Sequence, residues 1–265
     1  MEINKCYNEN CLDTMAKMPD GFVDLTVTSP PYDNLRTYNG YSFDFEAVAK
    51  ELYRVTKQGG VVVWVVGDAT KDGSETGTSF RQALFFKEIG FNLHDTMIWV
   101  KDGGGAIGSN KCYTQNFEYM FVFSKGAPNS YNLIRDKPNG SYGKGGLRVG
   151  RRKATGEHKI EQRKPAQEFS RRNNWWYTPT GNSATSDKFA YEHPAIFPEQ
   201  LANDHIISWS NEGDLVYDPF MGSGTTAKMA ILNKRNWIGS EISQEYCEIA
   251  EKRINEIMIL GGRGE

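Results

Sequence analysis

The nine residues Asp24-Leu25-Thr26-Val27-Thr28-Ser29-Pro30-Pro31-Tyr32 set the frame in which the rest of the chain is read. Val23, Leu25 and Val27, with Thr26 and Thr28 between them, form a short β-branched run of the kind that makes a buried strand. Pro30 and Pro31 end it, because neither offers an N–H to a ladder and each fixes its own φ. Their carbonyls are therefore held stiffly at the C-terminal end of a strand, where open α/β sheets place ligands. Ser29 and Tyr32 flank those carbonyls. Hydrogen-bond acceptors beside one flat ring suit a planar group that carries an amine.

Outward from this corner, strands alternate with helices. Residues 1–10 read as a short edge strand, and 11–18 as a helix with Leu12, Met15 and Ala16 on one face. After Pro19-Asp20-Gly21 and the corner comes a polar, aromatic loop over 33–43. Residues 44–55 have helical spacing at Phe45, Val48, Ala49, Leu52 and Tyr53, ended by Gly59-Gly60, and 61–66 is a nearly continuous apolar strand. A polar loop at 68–77 and a helix at 79–89 follow, then strands at 91–100 and 117–123. Strands that are apolar on both faces, interleaved with helices, predict an α/β fold with a mostly parallel sheet covered on both sides.

The 265 residues, 38% hydrophobic and 12% aromatic, suffice for one large domain with an insertion. No run of about 18 apolar residues exists, and Met1-Glu2-Ile3-Asn4-Lys5 does not begin a signal peptide, so neither a membrane span nor membrane partners are expected. Cys6, Cys11, Cys112 and Cys247 stand at no metal-ligand spacing, so no metal is expected and the simplest setting is the reduced cytoplasm.

The overall charge of −2 hides an uneven distribution. Residues 135–172 hold twelve Lys/Arg against four Asp/Glu, a local net of +8. Six glycines and few large apolar residues accompany them. One reading is a solvated surface loop. The other is a segment that tracks phosphates on nucleic acid, with Arg148, Arg151, Arg152 and Lys153 as its densest cluster. Trp175-Trp176-Tyr177 follows at once; packing where the chain rejoins the sheet is favoured there over base stacking.

A second motif lies nearly two hundred residues after the first. Leu215-Val216-Tyr217 is a strand, Asp218-Pro219-Phe220-Met221-Gly222-Ser223-Gly224-Thr225-Thr226 a Gly-rich turn leading into a helix, and Trp237-Ile238-Gly239 a strand that ends at Glu241. Glycines let a ligand approach the backbone, a helix N-terminus offers free N–H groups, and a carboxylate at the next strand's end suits ribose hydroxyls. The turn is not a Walker A loop, since Thr225 stands where Lys is needed, and Ala227 occupies the third glycine position of a dinucleotide fingerprint. Asp218 and Phe220, just before the turn, suit a nucleoside with a cationic amino-acid tail, which describes S-adenosylmethionine. A last helix starts near Ser243 with Tyr246, Ile249, Ala250, Ile254 and Ile257 inward.

Together, Thr28-Ser29-Pro30-Pro31-Tyr32 and Asp218-Pro-Phe-Met-Gly-Ser-Gly-Thr-Thr226 resemble the motifs of the S-adenosylmethionine-dependent amino-methyltransferases of DNA, the cytosine-N4 and adenine-N6 family. The order, with the Pro-Pro-Tyr corner first, resembles the family's β arrangement, and His193-Pro-Ala-Ile-Phe-Pro198 is similar to the segment before its cofactor strand. The resemblance implies a Rossmann-like, circularly permuted methyltransferase domain over 1–102 and 191–265, with 103–190 as an inserted target-recognition region. It implies Ser29, Pro30, Pro31 and Tyr32 as the catalytic corner. Asp218, Phe220, Gly222, Ser223, Gly224, Thr225 and Glu241, with Phe197 and Asn10, would be cofactor-binding. For Asn10, adenine contact and helix N-cap both stand; for Phe220, cofactor and core; for Tyr32, base stacking and packing. Implied too are double-stranded DNA as partner, a flipped-out base, S-adenosylhomocysteine as product, a homodimer, and a bacterial or phage source. No cysteine follows a proline as methylation of cytosine carbon would require. Ser rather than Asp or Asn before Pro-Pro-Tyr leans to cytosine.

Overall fold

The computed structural model describes residues 1–31, 43–101, 112–152, 155–156, 158–178, 185 and 197–261, with backbone alone at 147–152, 158–161, 163 and 260–261. Eight strands make one sheet in the order β1-β14-β13-β2-β3-β7-β6-β12. These are β1 (Lys5–Tyr7), β2 (Val23–Thr28), β3 (Thr56–Val66), β6 (Asn92–Lys101), β7 (Phe117–Ser124), β12 (Trp175–Thr178), β13 (Leu215–Asp218) and β14 (Asn236–Ser240). Only β7 runs antiparallel to its neighbours in this sheet.

The helices α1 (Cys11–Ala16), α2 (Phe45–Val55) and α3 (Thr78–Glu88) cover one face. Their Met15, Val48, Leu52 and Phe86 pack with Val62, Trp64 and Val66 of β3. The helices α4 (Glu199–Trp209), α5 (Thr225–Leu232) and α6 (Gln244–Gly261) cover the other, where Leu201, Ile206, Ala230 and Ala250 meet Leu25, Val27, Val63 and Val65. The two-residue period of a strand explains the split: successive β3 residues serve opposite cores. The fold is thus the expected α/β sandwich with a mostly parallel sheet, and β1 beside β14 makes it the permuted form.

Two details differ from the sequence reading. Gly59 and Gly60 do not end the helix but lie inside β3, because Thr56 already turns extended at the end of α2. Gly59, at φ +80°, lies against the Asn129 side chain, and the register of β2 against β3 shifts alongside. The polar loop at 68–77 contains a small hairpin, β4 (Thr70–Lys71) with β5 (Ser74–Glu75).

The chain divides into two compact units, Met1–Asn132 with Asn174–Glu265, and Leu133–Asn173. Strands β7 and β12, both within 103–190, belong to the main sheet. The smaller unit holds two antiparallel pairs, β8 (Arg135–Pro138) with β11 (Phe169–Arg171), and β9 (Gly146–Arg152) with β10 (His158–Arg163). Arg172 binds Asp136 there, while Tyr142 and Phe169 are exposed. Among the described residues no helix is long and apolar enough to cross a membrane.

Candidate active site

Strand β2 carries the corner to the C-terminal edge of the sheet. Ser29 and Pro31 are half-buried and Pro30 is buried; Tyr32 lies outside the described residues. Next to β2, β13 ends in Asp218, whose Oδ1 accepts from Thr28 Oγ1 at 2.6 Å and from the Phe220 N–H at 3.1 Å. Burial pushes the Asp218 carboxyl up to about 6, against the pull of hydrogen bonds from Thr28, Thr226 and the Phe220 backbone. The corner and the Gly-rich turn, 190 residues apart in sequence, are therefore joined by a buried side-chain bond.

The turn itself is tightly bound. Met221 N–H donates to the Ser240 carbonyl and Gly224 N–H to the Met221 carbonyl, each at 2.9 Å. Gly224 caps α5 at φ +79°, and a Cβ there would come within 2.9 Å of the Ala250 Cβ on α6, so both conformation and space require glycine. At the end of β14, Glu241 accepts from the Gly222 N–H at 2.8 Å and from the Ser243 N–H at 2.9 Å. Burial raises this carboxyl too, and the backbone donors offset part of the rise. Asn8 Nδ2 holds the carbonyls of Glu241 and Ile242 at 2.9 and 3.2 Å, and Ile242, next in sequence, is 42% exposed.

Beneath the turn sits a charged cluster absent from the sequence reading. Arg253, only 1% exposed, donates from Nη1 to the Ser223 carbonyl at 2.5 Å, Ser223 Oγ at 3.0 Å and Thr225 Oγ1 at 3.3 Å. Its Nη2 reaches Glu199 Oε1 at 3.0 Å and Thr185 Oγ1 at 3.3 Å. Lys228, from α5, meets the same Glu199 oxygen at 2.8 Å. A planar guanidinium suits this task, because its fork spans several acceptors at once.

The remaining expected residues take varied places. Asn10 caps α1, its Oδ1 accepting from the Leu12 N–H at 2.9 Å. Phe220 packs edge-on to Phe43 at 4.8 Å between ring centres, against the core on the α1–α3 side. Phe197 packs on the opposite core. Of the Trp175-Trp176-Tyr177 run, Trp176 is buried and the other two are exposed. Arg148, Arg151 and Arg152 lie in β9, with Arg148 opposite Glu161 and Arg152 opposite His158; Lys153 lies outside the described residues.

The profile of the N6/N4 DNA methylase family matches residues 23–252. The chain belongs to that family. It is 61% identical over 250 residues to the orphan methyltransferase M.BamHII of Bacillus amyloliquefaciens, spanning 93% of this chain and 94% of that one. It is 30% identical over 302 residues to the type II methyltransferase M.MthZI of Methanothermobacter thermautotrophicus, 97% of this chain and 78% of that one. Among solved structures, PvuII DNA methyltransferase (cytosine-N4-specific) superposes with a TM-score of 0.68 at 20% identity, covering 96% of this chain and 86% of that one, a likeness of fold. As a member of the family, the protein is a DNA amino-methyltransferase of the N4-cytosine/N6-adenine group, and its methyl donor is S-adenosylmethionine. The donor set fits that group. Two glycines at positive φ open the turn, a half-buried carboxylate follows the next strand, and an exposed apolar side chain, Ile242, adjoins it.

Proposed function

We propose that the protein methylates the exocyclic N4 of cytosine in double-stranded DNA, on a base flipped out of the helix. The observation that carries this reading is the neutral Ser29-Pro30 corner, tied through Thr28 to Asp218 at the head of the cofactor turn. Ser, where adenine-directed relatives tend to carry Asp or Asn, supports cytosine over adenine.

S-adenosylmethionine supplies a methyl already activated on a sulfonium. The chain's own work is to hold it and to prepare the amine. Glu241 takes the ribose hydroxyls, Gly222–Thr225 line the methionine portion, Ile242 lends the adenine apolar surface, and Asp218 faces the amino-acid end. The amine of cytosine is a weak nucleophile because its lone pair is delocalised into the ring. The Ser29 hydroxyl and the Pro30 carbonyl accept its two N–H bonds, which frees the lone pair toward the methyl. Being fixed before reaction, these acceptors need little reorganisation as positive charge develops on nitrogen, and the methylated amine then loses one proton to water. The rest is alignment. Tyr32 stacks on the extruded base, whose flipping is required because the amine is otherwise inside the duplex. The basic unit Leu133–Asn173 serves as the target-recognition region, its Arg148, Arg151, Arg152 and Lys153 on DNA phosphates.

Incubation with labelled S-adenosylmethionine and duplex DNA, followed by digestion to nucleosides and chromatography, tests this. Label in N4-methylcytosine is expected. Label in N6-methyladenine would overturn the choice of base, and label in neither would overturn the reading of the substrate.

A further inference from the structure

The backbone ladder between β13 and β2 stops early. It pairs Val216 with Leu25 and Tyr217 with Thr26, and goes no further. Each strand continues with its outer neighbour instead. Asp218 pairs with Gly239 of β14, and Thr28 with Trp64 of β3. The helix after β13 packs on one face and the helix after β2 on the other. The sheet thus opens a crevice at its switch point, the place where such sheets bind ligands. One lip bears the methyl-donor turn and the other bears Ser29-Pro30.

Two threonine hydroxyls cross that crevice after the ladder ends. Thr28 Oγ1 donates to Asp218 Oδ1 at 2.6 Å, and Thr226 Oγ1 donates to the Val27 carbonyl at 3.2 Å. The Thr226 hydroxyl also favours the ionised form of the Asp218 carboxyl. All three residues are buried. A bond between a hydroxyl and a carboxylate is short and strong where water is excluded. Neither threonine is needed to hold donor or base, since their hydroxyls are committed to the opposite lip.

The geometry points to Thr28, with Thr226 beside it, as a positioning residue that sets the distance between the methyl donor and the acceptor amine. This inference rests on the methyl-transfer reading above and adds a role to it. In-line transfer tolerates little error in that distance, and a displacement of about 1 Å costs about 100-fold in rate. Donor and base each bind to one lip, so widening the gap leaves both bound and slows only the transfer.

The test compares the wild-type protein with Thr28→Val, which keeps the shape and removes the hydroxyl, and Thr28→Ser, which keeps the hydroxyl. Four quantities are read for each: single-turnover rate on duplex DNA, Kd for S-adenosylhomocysteine by calorimetry, base flipping by 2-aminopurine fluorescence, and melting temperature. The rate of Thr28→Val is expected to fall between about 10- and 100-fold. Its cofactor Kd, measured at about pH 8.5 where Asp218 is already ionised, and its flipping signal should stay within about threefold of wild type, with Thr28→Ser retaining most of the rate. A Thr28→Val rate within about threefold of wild type would overturn the inference. So would a Kd that weakens in step with the rate, or a lower melting temperature with unchanged rate in the folded fraction. If Thr28→Val does not fold, Thr226→Val is measured in the same way, and an unchanged rate there overturns the shared role. Failure of the underlying reading looks different, since the wild-type protein itself would then put no methyl on DNA.

Discussion

Replacing Arg253 by Met tests how much of the cofactor turn depends on a residue outside both motifs. The guanidinium is fully enclosed and supplies donors to the Ser223 carbonyl, Ser223 Oγ and Thr225 Oγ1, as well as to Glu199 and Thr185. Methionine fills similar length but donates nothing. Breaking a buried ionic contact by removing one partner costs about 3–5 kcal/mol. Here Lys228 stays at 2.8 Å from the Glu199 carboxylate, which places the expected loss near the lower end, about 3 kcal/mol. For a domain of this size each kcal/mol moves the melting point by about 2–4 °C, so a fall of about 6–12 °C is expected. Thermal melts by circular dichroism measure it. Repeating them with saturating S-adenosylhomocysteine measures the second consequence. The Ser223 and Thr225 oxygens lose their anchor, so the ligand-induced rise should shrink relative to wild type. A drop under about 3 °C would refute the energetic argument, and a full drop with undiminished ligand stabilisation would refute the claim that Arg253 holds the turn.

Ser29→Ala should lower the methyl-transfer rate by about 100-fold or more while S-adenosylhomocysteine binds as before; a rate near wild type would remove Ser29 from the acceptor role. Burial raises Asp218 from 3.8 to about 6, so the folded, unliganded protein holds this proton more tightly than the unfolded chain. Its stabilising effect is then complete below about 3.8 and is lost as pH rises through about 6. A cationic amine nearby favours the carboxylate, so calorimetry near pH 6 should detect proton release on cofactor binding, with affinity rising as pH rises through 6. Burial lowers His205 from 6.5 to about 3, and among the described residues its Nδ1 finds no hydrogen-bond partner. The stability tied to its neutral form is present above 6.5 and lost as pH falls toward 3, so His205→Leu should flatten the melting temperature between pH 6.5 and 4. Reversing Arg151 and Arg152 to Glu should weaken DNA binding and reduce the slope of log K against log salt by about two, measured by fluorescence anisotropy.

Much of the frame was legible because it rests on periodicity and on punctuation by Gly and Pro. Val61–Val66 and Leu215–Tyr217 read as buried strands and are such, and the edge strand at the start of the chain lies beside Trp237–Gly239 as the permutation requires. The buried ions were not legible, since single charges on helices read as solvated faces. Yet a signal was present. Arg253 falls three residues after Ala250 and just before Ile254, on the stripe that α6 turns inward. A cation on an apolar stripe has to find acceptors in the core, and the Gly-rich turn supplies them in the buried Ser223 carbonyl and the Ser223 and Thr225 hydroxyls. Lys228, flanked by Ala227 and Met229 in a helix buried through Ala230, carries the same message. Thr28 was hidden differently. In sequence it is one more β-branched strand residue, and its partner lies 190 residues away.

The same contacts make the site independent of the linear order of the two motifs. What a ligand meets is the C-terminal edge of three adjacent parallel strands, in the order β14, β13, β2. Glu241, Asp218 and Ser29 stand at or just beyond those ends. That order is fixed by the sheet and not by the sequence. The outer neighbour, β1, completes it by two bonds, from the Glu241 N–H to the Tyr7 carbonyl at 3.0 Å and from Asn8 to the Glu241 carbonyl at 2.9 Å. Glu241 is thereby held from both sides, by a strand near the start of the chain and by a turn near its end. Any connection of the strands that preserves these adjacencies preserves the crevice between β13 and β2. On the proposed reading each motif supplies one lip of that crevice, and the Thr28–Asp218 and Thr226–Val27 bonds extend across it the hold that the Val216–Leu25 and Tyr217–Thr26 pairing begins.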